Sequence, residues 1–179
     1  NTGDVFNPNE PLPSSLLFNF GTALLAYWDD LDDTTGNVYH QTVGTSPNRT
    51  FIAQWHNRPR FPGDAVLDGD EGTFQIQVFE TPVTGAVAQY LYADTTFVGP
   101  TVNNGRSATS GYQRNAQAAI QYSHNLTDSI TPAVVLTLIE ADCQGNGAVD
   151  SCELAGGAPD CNTNGIIDQC DIAREQDPD

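Results

Sequence analysis

Two acidic segments near the end of the sequence carry the clearest chemical pattern. They are DCQGNGAVDSCE, residues 142–153, and DCNTNGIIDQCD, residues 160–171. Both place oxygen-bearing side chains at positions 1, 3, 5, 9 and 12, and a glycine at position 6. Calcium takes about six to eight hard oxygen ligands, and the glycine permits the sharp turn that wraps the chain around one ion. This spacing therefore predicts one Ca²⁺ site in each segment.

The predicted ligands include a backbone carbonyl at position 7 of each loop. They are Asp142, Gln144, Asn146, Ala148 (carbonyl), Asp150 and Glu153 in the first loop, and Asp160, Asn162, Asn164, Ile166 (carbonyl), Asp168 and Asp171 in the second. Only residues 154–159 separate the loops, which is too few for the flanking helices of a full EF-hand. We expect compact EF-hand-like loops with weak to moderate affinity, about 10⁻⁴ to 10⁻³ M or somewhat tighter. The alternative is that these Asn-Gly and Asp clusters form only solvated turns, which the shared register of two copies disfavours.

The loops resemble the calcium repeats of dockerin type I modules and, more distantly, thrombospondin type 3 repeats. The resemblance rests on the D-x-N/D-x-N/D-G-x-x-D core of those families and on Asp171 at position 12 of the second loop. It implies calcium binding. It does not imply docking to a cohesin, because true dockerins dock through helices for which this spacing leaves no room.

All four cysteines of the chain lie at positions 2 and 11 of the two loops. Disulfides between Cys143 and Cys152 and between Cys161 and Cys170 would each restrain a loop, with a gain of about 2 to 3 kcal/mol. Three connectivities remain open from sequence alone. A Cys₄ zinc site is the alternative, but the eight residues between successive cysteines exceed the spacing of about two to four typical of zinc motifs. We expect disulfides, and hence a secreted or cell-surface protein.

Short β-prone runs separated by Gly, Pro, Asn and Asp clusters fill the sequence up to residue 141. In one run Phe74, Ile76 and Val78 alternate with Gln75 and Gln77, which predicts a strand with one face in a core and the other toward water. Seven or eight such runs without a long helical period favour an antiparallel β-sandwich. We predict a mainly β chain with three parts: an extended N-terminal arm over residues 1–15, an antiparallel β-sandwich over 16–141, and the tandem calcium-loop tail over 142–179, with short helical turns.

The segments AYWDDLDD, GNVYHQTVGTSPNRTFIAQWHN and TFQIQVFE, with SATSGYQ and AAIQYSHN after them, resemble a distantly nidogen-like β-sandwich module of large secreted bacterial surface proteins. The resemblance covers about residues 20–139 and rests mainly on residues 28–31 and on the strand at 49–55. The family usually has further strands upstream, where this chain has only a proline-rich arm. The sheet is therefore expected to be short of a strand, and an open edge can pair with another chain. We expect either that the arm or tail of one copy completes the next copy, or that the chain is truncated.

Composition and the remaining polar residues restrict the function. A net charge of -17, with only six basic residues, argues against nucleic acid and anionic membranes as partners, and no apolar run approaches the length of about 20 residues that spans a bilayer. His40, His56 and His124 are scattered, and no catalytic motif is present, so we expect no enzyme activity. We expect Trp28 and Trp55 in the core rather than in a sugar platform. Two further acidic clusters are possible calcium sites, with solvated turns slightly favoured: Asp29, Asp30, Asp32 and Asp33, and Asp64, Asp68, Asp70 and Glu71.

The function predicted from these patterns is that of a non-enzymatic extracellular or cell-surface structural protein. Calcium stabilises it, and copies of it assemble into a filament or surface layer through strand or arm exchange. The alternatives are an adhesion or carbohydrate-binding module, whose partner would be a cell-surface glycan or a matrix protein, and an anchoring fragment of a secreted hydrolase.

Overall fold

The computed structural model describes residues 9–20, 22–61, 71–83, 85–98, 102–139 and 156–161. Within them lie eight β-strands and two short 3₁₀ helices, Ser15–Phe20 and Asn103–Gly105. The strands are β1 (Ala23–Trp28), β2 (Asn37–Val43), β3 (Thr50–Pro59), β4 (Glu71–Val83), β5 (Ala86–Asp94), β6 (Thr109–Gln113), β7 (Ala119–His124) and β8 (Val135–Ile139). No helix in this described part is long and apolar enough to cross a membrane.

The strands form two antiparallel sheets of unequal size. The small sheet has the order β1-β6-β7, and the large sheet has the order β2-β3-β4-β5-β8. Every pairing of neighbouring strands is antiparallel. The prediction of a mainly β chain built from antiparallel sheets is therefore confirmed.

The core lies between the two sheets. It contains Ala26 and Tyr27 from β1, and Phe74, Ile76, Tyr90 and Tyr92 from the large sheet, with Phe97, Val102, Ala108 and Ile130 from the connecting segments. The face predicted for β4 is confirmed, because Phe74 and Ile76 are buried and Val78 packs against the same cluster. Trp55 also packs there, with its ring stacked on Phe74 at 5.2 Å between centroids.

Buried tyrosines join the two sheets by hydrogen bonds. The hydroxyl of Tyr92 donates to the backbone oxygen of Ala26 at 2.7 Å, and that of Tyr90 donates to the oxygen of Gly111 at 2.8 Å. Burial raises the pKa of both hydroxyls, and likewise that of Tyr27. The neutral forms are favoured in the fold because ionised oxygens would lose their hydration. These residues therefore fix the position of β1 and β6 over β4 and β5.

Candidate functional site

The outer face of β6, which points away from the core, is buried although it is polar. Thr109 and Gln113 are both 0% exposed, and Gly111 stands between them on the same face. They are covered by residues 9–14, which we call the docked arm. The arm follows β6 in the same direction, with Glu10 bonded to Thr109 and Ser14 bonded to Gln113.

Side chains of the small sheet bind the backbone of the docked arm. The amide of Ser14 donates to Gln113 Oε1 at 2.7 Å, and Gln113 Nε2 donates to the oxygen of Ser14 at 3.0 Å. The amide of Leu12 donates to Gln121 Oε1 at 2.8 Å. Because backbone groups are common to all residues, these bonds set the position of the arm with little demand on its side chains.

Gly111 makes room for the arm. A β-carbon at Gly111 would lie 2.4 Å from the oxygen of Ile120 and 2.8 Å from Leu12 Cδ1. Both distances are far below van der Waals contact, so a larger residue would displace β7 or the arm. The glycine in this strand therefore marks a close approach of a second segment, as is common in sheets. Together Thr109, Gly111, Gln113 and Gln121 form what we call the arm groove.

A polar cluster fixes the beginning of the docked arm. Asn9 Nδ2 donates to Thr109 Oγ1 and to Asn125 Oδ1, each at 2.9 Å. Thr109 Oγ1 in turn donates to the oxygen of Glu10 at 3.0 Å and lies 2.8 Å from Nδ1 of His124. His124 therefore contacts Thr109, which binds the arm. His40 and His56 lie on β2 and β3 of the other sheet.

The small sheet leaves part of the large sheet uncovered. Among the described residues β1 pairs only with β6, so its other edge has no strand beside it. Beyond that edge lies the inner side of β2 and β3, where Val38 is 53% and Phe51 is 44% exposed. A cavity of about 320 Å³ separates β1 from Trp55. We call this region, with Val38, Phe51 and Trp55, the open face.

The acidic turn after β1 is organised by one buried ion pair. The Asp29 carboxylate is 5% exposed and lies 3.6 Å from Arg60 Nε. It also accepts hydrogen bonds from the Ser107 hydroxyl and from the amide of Asp30. Asp29 therefore joins three segments of the chain, and the preference for a merely solvated turn is wrong for this residue. Within the described residues no group of three or more His, Cys, Asp or Glu side chains is placed to hold a metal.

The predicted calcium ligands and cysteines lie almost entirely outside the described residues. Asp160 and Cys161 are the exceptions; Asp160 is half-buried and Cys161 is exposed. The other predicted ligands, and Cys143, Cys152 and Cys170, fall outside the described ranges, as do Asp64, Asp68 and Asp70. The calcium sites and the disulfides therefore remain predictions.

Two packed antiparallel sheets with a docked N-terminal arm define a β-sandwich module. A family model described as "NIDO related" matches residues 2–149, which is most of the chain. The chain belongs to this NIDO-related family, and membership supports an extracellular role. No curated protein and no solved structure matches it.

Sequence reasoning missed the arm groove and the Asp29 ion pair. The alternation in TSGYQ, residues 109–113, puts Thr109, Gly111 and Gln113 on one face, and polar residues in a strand normally face water. The available signal was the glycine inside the strand, which often marks a close backbone approach. No comparable signal in the sequence connects Asp29 with Arg60.

Proposed function

We propose that this chain is a non-enzymatic structural protein of the extracellular space or cell surface, and that copies of it assemble by exchanging their N-terminal arms. The observation that carries the proposal is the way the docked arm is held, by side chains of the arm groove bonded to its backbone. An arm from a second copy can make the same bonds, since each copy has one arm and one groove.

Arm exchange would produce a growing polymer, because it joins the arm of one copy to a different surface, the groove, of the next. Such a head-to-tail contact produces an open filament unless the rotation between copies closes a ring. The segment between the docked arm and β1 includes the 3₁₀ helix Ser15–Phe20. Its conformation decides whether the arm folds back on its own sheet or reaches a neighbour.

Calcium enters the proposal through the tail. The two acidic loops at 142–153 and 160–171 would each bind one Ca²⁺, and disulfides would restrain them. A chain with net charge -17 repels copies of itself. Two bound calcium ions reduce that charge by four, so calcium both orders the tail and weakens repulsion between subunits. We therefore expect assembly to depend on calcium.

The test combines light scattering with negative-stain electron microscopy, in millimolar calcium and in excess chelator. We expect filaments in calcium that shorten on chelation. A synthetic peptide of residues 1–15, added in excess, should cap grooves and shorten them further, whereas a scrambled peptide should not. A chain that stays monomeric under all of these conditions refutes self-assembly.

Glycan binding is the second candidate, on the outer face of β2 and β3. There the ring of Tyr39 is 53% exposed, and Gln41 and Gln54 line the same hollow of about 270 Å³. An exposed ring beside amide groups suits a sugar, because the ring stacks on its apolar face and the amides bond to its hydroxyls. Glycan-array binding that Tyr39→Ala abolishes would favour this function.

A further inference from the structure

Within the described part of the chain, β2 is an edge strand without the protection that edge strands usually have. All seven residues of β2 are exposed, and none is charged. Its pairing with β3 runs without irregularity from Asn37 opposite His56 to Val43 opposite Thr50. Natural edges are blunted by lysines, prolines, bulges or short length, and β2 has none of these. Among the described residues no strand pairs with the free edge of β2, so its backbone groups on that side are open to another strand.

The charge of the chain points to a second copy as the occupant. Copies of a chain with net charge -17 meet most easily where neither carries an acid, and β2 is such a place. At the turn beside it, Arg49 Nε donates to Glu80 Oε2 at 2.9 Å. That hydrogen bond holds the pKa of Glu80 well below its usual range, and the ion pair leaves little net charge there. A basic partner would be drawn instead to the acidic tail.

We propose that β2 pairs antiparallel with β2 of a second copy, so that two five-stranded sheets become one of ten strands. The two copies are related by a two-fold axis perpendicular to the sheet. The core-facing sides of both large sheets then lie on the same side of the ten-stranded sheet, in agreement with the alternation of side chains along each strand. The register that pairs all seven residues places this axis at His40. Tyr39 then lies opposite Gln41 of the second copy, and Val38 lies opposite Thr42.

This register extends the open face across the interface. Val38 lies opposite Trp55, and Thr42 lies opposite Phe51, within one chain. In the dimer, one row on the inner side therefore runs through Phe51 and Thr42 of one copy and Val38 and Trp55 of the other. Exposed Val38, which has β3 on one side only among the described residues, gains a neighbour on its other side.

The dimer contact is small, and its two-fold symmetry limits it to two copies. A pair of seven-residue strands buries less than the roughly 1,200 Å² of a stable interface, so the dimer is weak alone. It does not depend on arm exchange. Where arms do exchange, the β2 contact would join two filaments side by side, and the two contacts would reinforce each other through effective concentration.

Sedimentation over a range of protein concentrations tests the proposal on the full chain in chelator. We expect a monomer–dimer equilibrium that strengthens with added salt, because salt screens the repulsion between acidic chains. His40→Glu places two carboxylates opposite each other and should raise the dissociation constant about fivefold. Ile120→Glu adds the same charge on β7, the exposed edge of the small sheet. It should raise the constant far less.

Hydrogen exchange on the unmodified chain keeps the test independent of any folding defect in the variants. Amides of β2 that point away from β3 should exchange more slowly at high protein concentration, while those of β7 should not change. Absence of a dimer, a dimer with unchanged β2 exchange, or a dimer broken by Ile120→Glu and not by His40→Glu would each overturn the proposal. Gln113→Ala should leave this dimer intact, which separates it from arm exchange.

Discussion

Replacing Gln113 by alanine should release the N-terminal arm and lower the stability of the whole chain. The side chain is 0% exposed and makes two hydrogen bonds with the backbone of Ser14, at 2.7 and 3.0 Å. Each bond contributes about 1 kcal/mol net, and a buried group left without a partner costs about 1 to 3 kcal/mol. We expect Gln113→Ala to reduce the free energy of unfolding by about 2 to 4 kcal/mol.

The free energy with which the arm docks sets an upper limit on this loss of stability. If undocking costs less than leaving the N–H and C=O of Ser14 buried and unpaired, the arm detaches and water solvates both groups. The loss of stability then equals the free energy of arm docking. Hydrogen exchange distinguishes the two cases, because the amides of Leu12 and Ser14 exchange rapidly only when the arm detaches.

Urea unfolding provides the measurement, and Gln121→Ala provides the matched control. Gln121 makes one bond to the arm, to the amide of Leu12, in an exposed setting, so its removal should cost under about 1 kcal/mol. If Gln113→Ala costs no more than Gln121→Ala, the arm groove contributes nothing specific. The proposed recognition of the arm by Gln113 would then be wrong.

Gln113→Glu adds a pH test of the same contact. At neutral pH a buried carboxylate at this position would face the oxygen of Ser14, while its protonated form can donate to that oxygen. Burial therefore raises the pKa of the introduced group in the folded state. The contribution of the carboxyl is present below its unfolded pKa and is lost as pH rises through the folded value. Gln113→Glu should thus be less destabilised in acid than at neutral pH, relative to the unmodified chain.

Three further predictions concern the core and the turn after β1. Three buried tyrosines with raised pKa should lower the free energy of unfolding as pH rises above about 10, where the unfolded chain ionises first. They are Tyr27, Tyr90 and Tyr92. Urea unfolding against pH measures this effect, and full tyrosinate absorbance with native circular dichroism would contradict it. Gly72→Ala should cost about 1 to 3 kcal/mol in thermal or urea unfolding, because a β-carbon there would lie 2.6 Å from Phe97 Cζ; a neutral result would mean that the ring moves freely. Asp29→Asn should cost about 1 to 3 kcal/mol by leaving partly buried Arg60 without its carboxylate, whereas Asp33→Asn at an exposed position should cost little. Equal losses of unfolding free energy in the two variants would show that Asp29 has no special structural role.

The strands were predictable because their cause is local. Each run alternates residues that need burial with residues that tolerate water, and a period of two leaves few choices of structure. The alternation of Phe74 and Ile76 with Gln75 and Gln77 thus predicts both the strand and its buried face. The order of the strands in the two sheets depends on contacts distant in sequence, and these patterns do not specify it.

The arm groove was not predictable for the same physical reason. Thr109 and Gln113 are buried because another segment covers them, not because their side chains avoid water. A periodic pattern records the preference of a side chain for water, and it cannot record a bond to the backbone of a residue such as Ser14, far away in the sequence. Asp29 is a similar case, since its burial depends on Arg60 and Ser107. Hydrophobic periodicity therefore fails to predict the burial of polar residues whose partners are distant in the sequence.

The unequal sheets connect the two proposed contacts. A large sheet of five strands faces a small sheet of three, so β2 and β3 extend beyond their cover and leave Val38 and Phe51 exposed. On the small sheet the arm already covers the outer face of β6. Among the described residues, the sheet edges are β1 and β7 in the small sheet and β2 and β8 in the large sheet. β7 presents exposed Ile120 and Tyr122, but its register with β6 shifts between Ser110 and Gly111, and such irregularities protect edges. β8 has only five residues, and its register with β5 shifts between Ala86 and Ala88. β2 has seven residues and a regular register with β3, so it is the edge at which sheet extension should begin.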